Sequence, residues 1–179
     1  MKYHFLNKFK HVSNHIDNFS DACGRAIAWL TLCMVLTQFS VVILRYMFGI
    51  GWIAMQESIL FMHGLVFLLG AAYTLRHEGH VRVDIFYQGF SKRGKAIVDA
   101  GGTLMLLLPV CGYIFWSSWG YVADSWQYLE GSREAGGLPG VFLLKTSILL
   151  MAGLFSLQGL SILLKNLVII FSTDDATNA

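Results

Sequence analysis

The chain has 179 residues, of which 55% are hydrophobic and 13% charged, and its mean hydropathy is +0.57. A soluble domain carries about 25% charged residues, so this composition excludes an ordinary soluble domain and favours a membrane protein. The formal net charge of +2 is small and the basic residues lie beside apolar segments, which excludes a nucleic-acid-binding surface.

Four apolar segments are each long enough to cross a bilayer, whose hydrocarbon core of about 30 Å requires roughly 20 helical residues. They cover residues 26–48, 53–75, 96–121 and 141–164. The sequence therefore predicts an all-α membrane protein with a four-helix transmembrane domain over residues 26–164.

The first connections suggest how the helices are arranged. Residues 1–25 form a polar leader, expected either to lie partly on the membrane surface or to be disordered, and the full-length first helix argues against a cleaved signal peptide. The turn at 49–52 is so short that helices 1 and 2 must form an antiparallel hairpin. The connection 76–95 mixes apolar and basic residues, which predicts an interfacial segment.

The second half of the chain contains a helix breaker, an aromatic cluster and one sizeable loop. Pro109 is expected to kink the third helix. The aromatic residues near its end are typical of a membrane-interface belt, with a binding box as the alternative; they are Trp116, Trp119, Tyr121, Trp126 and Tyr128. The loop 122–140 is acidic and glycine-rich, and residues 165–179 form a short tail.

The positive charges predict the orientation. Most of the 13 lysines and arginines lie in the leader, in the 76–95 connection or directly after the fourth helix. The other side has Arg45, Arg133 and Lys145. Because positive charge stays in the cytoplasm, the sequence predicts an N-in/C-in topology, with the 122–140 loop outside.

Polar residues within the first two helices need a partner or a function. Counted from the turn, Arg45 and Glu57 lie at nearly the same depth, as do Gln38 and His63. We therefore predict an Arg45–Glu57 ion pair and a Gln38–His63 hydrogen bond that lock the hairpin. The alternative for Arg45 is that it snorkels to the outer headgroups.

Catalytic and cofactor chemistry find little support in the sequence. There is no nucleophile–base set, no phosphate-binding glycine loop and no CxxC motif, so we expect no enzyme and no cofactor. A bis-histidine haem needs two level histidines, and His63 is alone within the helices. His77-Glu78-Gly79-His80 has some likeness to a metal site, but surface hydrogen bonding is the preferred interpretation at the interface.

Short motifs from the second helix onwards carry a family resemblance. They are Trp52-x4-Glu57, Gly70-Ala71-Ala72, Glu78-Gly79-His80-Val81-Arg82-Val83-Asp84, Leu138-Pro139-Gly140, Leu144-Lys145 and Leu157-Gln158-Gly159. In this order and spacing they resemble the small membrane subunit (Q-type, DctQ-like) of tripartite ATP-independent periplasmic, or TRAP, transporters. The resemblance covers roughly residues 20–170.

The resemblance implies a small subunit of the bacterial inner membrane that acts as a scaffold. Its partners would be a large elevator-type membrane subunit, a periplasmic substrate-binding protein and membrane lipids. Import of organic acids would be driven by sodium, with the sodium and substrate sites in the large subunit. The main alternative is the membrane anchor of a redox complex with a quinone or cytochrome, which should contain paired histidines within its helices.

Two further sets of candidate residues follow. The outer loop is a candidate dock for the binding protein through Asp124, Glu130, Arg133 and Glu134, together with the 49–52 turn that contains Trp52. On the cytoplasmic side, His80, Arg82 and Asp84 are candidates for fixing helix 2 against the interfacial segment, the alternative being a solvated surface.

Overall fold

The computed structural model describes residues 2–81, 85 and 87–177, without the side chains of 2–5 and 173–177. The elements are α1 (Lys2–Phe48), α2 (Ile53–Arg76), α3 (Lys92–Gly102), α4 (Leu108–Gln127) and α5 (Val141–Thr177). A 3-10 turn, Tyr87–Gly89, precedes α3, and a π-helical turn, Thr103–Leu107, joins α3 to α4.

Four helical spans in this part of the chain are long and apolar enough to cross a membrane. They are Leu6–Phe48, Ile53–Arg76, Lys92–Gln127 and Val141–Ser172, and no strand occurs among the described residues. The predicted all-α class with four membrane-spanning helices is confirmed.

The polar leader differs from both expectations for it. Residues 2–25 continue the first membrane helix without a break, so α1 has 47 residues. The fourth membrane helix also continues past its apolar part, and α5 has 37 residues. These extensions are stabilised by contacts between α1 and α5, described below, that hydropathy alone does not reveal.

The central element of the bundle is α5, which packs against α1, α2, α3 and α4, while α1 also packs along α2. Small residues allow these helices to approach one another closely. A Cβ added at Gly24 of α1 would lie 2.2 Å from Cδ2 and 2.8 Å from Cβ of Tyr73 on α2. The largest fully buried side chains are polar, and they are Gln158, Ser13, Ser147 and Ser161.

The third membrane helix accommodates Pro109 by widening its backbone. The N–H of Leu108 bonds to the carbonyl of Thr103, five residues earlier, within the π-helical turn. Proline has no N–H to donate and crowds the preceding turn, and π-bulges are one recognised cause of helix distortion. The structure therefore shows a π-helical turn directly before Pro109, and the kink at Pro109 stays a prediction.

The connection between α2 and α3 is described only in part. The α2 helix ends in a turn in which the N–H of Gly79 bonds to the Thr74 carbonyl at 2.9 Å. Ser91 caps the start of α3, accepting a hydrogen bond from the Gly94 N–H at 3.2 Å. Between them, Val81 and Ile85 are exposed. Arg82 and Asp84, two of the cytoplasmic candidates, lie outside the described residues.

Candidate functional site

Polar side chains gather at the two ends of the bundle and join helices that are distant in sequence. At the end where α1 and α5 extend beyond the apolar segments, a cluster that we call the polar junction connects α1, α2 and α5. It consists of Ser13, Asp17, Ser20, Asp21, Arg76, His77, Gln158, Ser161 and Lys165.

Asp17 is the centre of the polar junction, and its carboxylate is buried among α5 side chains. Oδ1 accepts hydrogen bonds from Ser161 Oγ at 2.6 Å and from Gln158 Nε2 at 3.1 Å. Oδ2 accepts a hydrogen bond from Lys165 and forms an ion pair with it. These three residues follow one another at spacings of three and four, so this one carboxylate holds successive turns of one α5 face against α1.

Two serines extend the contact along α1. Ser20 donates to Gln158 Oε1 at 2.7 Å, so the Gln158 amide is fixed at both its oxygen and its nitrogen. The hydroxyls of Ser13 and Ser161 lie 3.0 Å apart. Among the described residues, no buried side-chain nitrogen or oxygen lacks a partner, which is what a low-dielectric environment requires.

The end of α2 is fastened to the same place on α1. Arg76 donates to the backbone carbonyl of Asp17 and forms an ion pair with Asp21. His77 Nε2 lies 3.0 Å from Asp21 Oδ1. The polar junction thus ties α2 and α5 to α1 on two sides.

The opposite end of the bundle is held by Glu57, near the start of α2. Its two carboxylate oxygens accept hydrogen bonds from the Ser132 hydroxyl and from the Leu138 N–H, the latter at 2.6 Å. Gly137 is required here, because an added Cβ would lie 2.6 Å from Glu57 Oε2. Glu57 therefore pins the outer loop onto α2.

Glu130 forms a second attachment of the same loop. It accepts hydrogen bonds from Lys145 and from Ser125 Oγ, the latter at 2.7 Å. The hydrogen bond from Lys145, followed by that from Ser125, holds the pKa of the Glu130 carboxyl below its usual range. The Lys145 ammonium also lies 3.8 Å from the ring centroid of Tyr121. Glu57 and Glu130, with these partners, form what we call the outer clasp, after the side of the membrane that the basic residues predict for the 122–140 loop.

The two contacts predicted to lock the hairpin are wrong. Among the described residues no ion pair joins Arg45 to Glu57, because both Glu57 oxygens are occupied by the outer loop. Gln38 and His63 are exposed and share no hydrogen bond. Equal depth, counted from the turn, is not sufficient to bring two side chains into contact.

The remaining candidates divide between engaged and exposed positions. His80 Nε2 lies 3.3 Å from the Ala71 carbonyl, and its ring meets Phe155 edge to face with centroids 5.7 Å apart. Of the proposed docking residues, Glu130 is engaged in the outer clasp, while Asp124, Arg133 and Glu134 are exposed. Trp52 is exposed as well, beside the hairpin turn.

The polar junction escaped the sequence analysis, although a signal for it exists. Ser13, Asp17 and Ser20 follow one another at spacings of four and three residues, which places them on one helix face. The apolar Ile16, Phe19 and Ala22 recur at the same helical spacing and indicate a different buried face. The structure leaves Phe19 exposed and buries the polar face.

The chemistry of both clusters is structural. Within the described chain, no group of three or more histidine, cysteine or acidic side chains is arranged to hold a metal. The acids of both clusters are each occupied by cations, hydroxyls or amides of the same chain. Together the two clusters hold α1, α2, α4, α5 and the 128–140 loop in one arrangement.

Comparison with known proteins supports one family. The model of the family described as "Tripartite ATP-independent periplasmic transporters, DctQ component" matches residues 34–168. Searches among curated proteins and among solved structures gave no match. The family match gives no support to a redox membrane anchor.

The family match covers most of the chain, from within α1 to within α5. It agrees with the four membrane-spanning helices, and it identifies a transporter subunit of the inner membrane and not an enzyme. The chain belongs to the DctQ component family of the tripartite ATP-independent periplasmic transporters.

Proposed function

We propose that this small TRAP subunit is a static scaffold for the large membrane subunit and itself binds neither substrate nor sodium. The observation that carries the proposal is the polar junction, with Asp17 at its centre. A scaffold must keep its shape while a partner moves. Helices cross-linked by satisfied, buried hydrogen bonds are held in one arrangement, because breaking such a bond leaves a buried group without a partner.

The pattern of polar groups argues against a transport path through this chain. A path for ions or solutes in a membrane needs polar groups that are available to the cargo. In the polar junction and the outer clasp, the acidic oxygens are instead taken by side chains and backbone of the same chain. The substrate and sodium sites are accordingly proposed to lie in the large subunit.

The wider proposal follows the family. The complete system would contain this chain, the large elevator-type subunit and a periplasmic binding protein, and would import organic acids using a sodium gradient. We propose the N-in/C-in orientation from the distribution of basic residues. The exposed Asp124, Arg133 and Glu134 would be available to the binding protein on the outer side.

Reconstituted uptake tests this function. Proteoliposomes that contain both membrane subunits, with the binding protein and a panel of labelled organic acids outside, should accumulate one acid only with an inward sodium gradient. Vesicles with this chain alone should be inactive under the same conditions. Uptake by this chain alone would refute the scaffold role, and uptake by the complex without a sodium gradient would refute the proposed energy source.

The orientation has its own test. Fusions of a periplasm-active phosphatase to a site in the 128–140 loop should be active, whereas fusions after residue 177 should be inactive. The opposite pattern would reverse the topology without affecting the scaffold role.

A further inference from the structure

Three polar side chains in the membrane-spanning part of α1 and α2 face away from the chain. They are Gln38 and Arg45 on α1 and His63 on α2, and all three are exposed. Within the described residues, none of them takes part in a hydrogen bond or an ion pair. This distinguishes them from the polar residues of the junction and the clasp, which are all engaged.

A groove between α1 and α2 lies on the same helix faces as these three side chains, although its lining does not include them. The groove has a volume of about 630 Å³, and its lining includes Gly24, Thr31 and Gly70. Gln38 follows Thr31, and Arg45 follows Gln38, at intervals of seven residues, while His63 precedes Gly70 by seven. Seven residues are almost two helical turns, so all three lie on the same helix faces as these lining residues and nearer the hairpin turn.

The groove is open and lined largely by small or apolar residues. A Cβ added at Gly70 would meet no atom within 4 Å. Gly24, Ala28 and Ala71 also line it. Small residues of this kind let a second helix approach closely in a membrane.

Depth decides what can occupy the groove. Gln38 and His63 are each about a dozen residues from the hairpin turn, or about 17 Å along a helix, which is near the middle of a bilayer. Their short side chains cannot reach the headgroups from there. Acyl chains offer them no hydrogen-bond partner, so lipid is an unfavourable neighbour.

A second copy of this chain is also a poor occupant. In a two-fold dimer with its axis along the membrane normal, each residue faces the same depth on its mate. Arg45 would then meet another Arg45, since Glu57, the acid at that level, is engaged by the outer loop. The occupant should instead supply an acceptor for Arg45.

We infer that this groove binds a transmembrane helix of the large membrane subunit. That helix would present hydrogen-bonding groups to Gln38 and His63 at mid-membrane and a carboxylate or carbonyl to Arg45 nearer the outer side. The inference rests on the proposed function for the existence of this partner. The inference specifies which surface of this chain the large subunit covers.

Photo-crosslinking in native membranes tests the surface directly. A benzophenone side chain replaces Phe67, which lines the groove and is 74% exposed, or Tyr113 on α4, which is 72% exposed. The Phe67 position should give an adduct with the large subunit, and the Tyr113 position should not. An adduct of Phe67 with a second copy of this chain, or with lipid alone, would overturn the inference.

A matched pair of glycine substitutions gives a second, independent test. Gly70→Leu fills the groove, whereas Gly112→Leu adds the same side chain on α4, where a Cβ also meets nothing within 4 Å. Co-purified large subunit should fall about tenfold for Gly70→Leu, as for an overpacked interface, and stay unchanged for Gly112→Leu.

Co-purification of the unmodified chain distinguishes a failure of the groove inference from a failure of the proposed function. If it co-purifies with the large subunit while Gly70→Leu and the Phe67 crosslinker behave like their controls, the groove is the wrong surface and the proposed function stands. If the unmodified chain binds no large subunit, both the groove and the proposed function are refuted.

Discussion

Removing the carboxylate of Asp17 should loosen this end of the bundle more than any other single change in the polar junction. Asp17→Ala deletes the acceptor of Ser161, of Gln158 and of Lys165 together. The Asp17 side chain is 7% exposed, whereas that of Lys165 is 45% exposed. Asp17 therefore stabilises the bundle mainly as a buried hydrogen-bond acceptor, whereas Lys165 acts as a half-exposed charge.

The magnitude follows from what each partner loses. Once Asp17 is absent, the half-exposed Lys165 can turn to water, so its loss of a partner adds at most about 1 kcal/mol. Gln158 and Ser161 are fully buried, and a buried donor left without an acceptor costs about 1–3 kcal/mol. The Ser161 hydroxyl can still donate to the Ser13 carbonyl, 3.2 Å away, so Gln158 bears most of this cost. Some of this is recovered by relaxation, so we expect Asp17→Ala to lower the free energy of unfolding by about 2–4 kcal/mol.

Thermal unfolding in mild detergent, followed by tryptophan fluorescence, measures the effect. For a chain of this size about 1 kcal/mol corresponds to roughly 2–4 °C in Tm, so Asp17→Ala should lower Tm by about 4–16 °C. The exposed neighbour Asn18→Ala is the matched control and should change Tm little. Lys165→Met should cost clearly less than Asp17→Ala.

Two results would refute this reasoning. If Asp17→Ala unfolds at the same temperature as Asn18→Ala, the buried network does not stabilise the bundle. If Lys165→Met costs as much as Asp17→Ala, the ion pair carries the contact and the buried hydrogen bonds do not.

Three further predictions concern the rest of the bundle. Glu57→Ala should increase hydrogen exchange throughout the 128–140 loop, because both loop attachments to this carboxylate are lost. Arg45→Ala should not have this effect. Equal effects of the two substitutions would instead support an Arg45–Glu57 ion pair. Because the folded-state pKa of Glu130 is lowered, its stabilisation is present above the unfolded pKa and is lost as pH falls. The Tm difference between the unmodified chain and Glu130→Gln should therefore shrink below about pH 4.3, and a constant difference would contradict this. Gly24→Ala should destabilise by about 1–3 kcal/mol through overpacking whereas Gly70→Ala should be neutral or stabilising, and equal Tm values would contradict the close α1–α2 contact.

Hydropathy predicted the four membrane helices because the thickness of the bilayer sets the length of any segment that crosses it. The same argument is silent about residues outside the bilayer, where water competes for every polar group. Asp17 and Ser20 therefore looked like ordinary solvated residues. Only the packing of α5 against α1 turns them into a buried network that extends both helices.

The hairpin contacts failed for a related reason. Counting residues from the 49–52 turn gives depth, since each helical residue rises by about 1.5 Å. Depth alone does not give the direction in which a side chain points. The outer loop competes for Glu57 with a backbone N–H and a hydroxyl already in place, and neither partner could be paired with it from the sequence.

The distribution of satisfied and unsatisfied polar groups argues for a division of labour between this chain and its partner. Groups that fix the shape of the chain, such as Asp17 and Glu57, are fully occupied within it. Gln38 and His63 have no hydrogen-bond partner among the described residues, and they are expected at a depth where lipid offers none. A subunit that worked alone would gain stability by replacing both with leucine. Their presence on one face is therefore best explained by a protein surface that covers it.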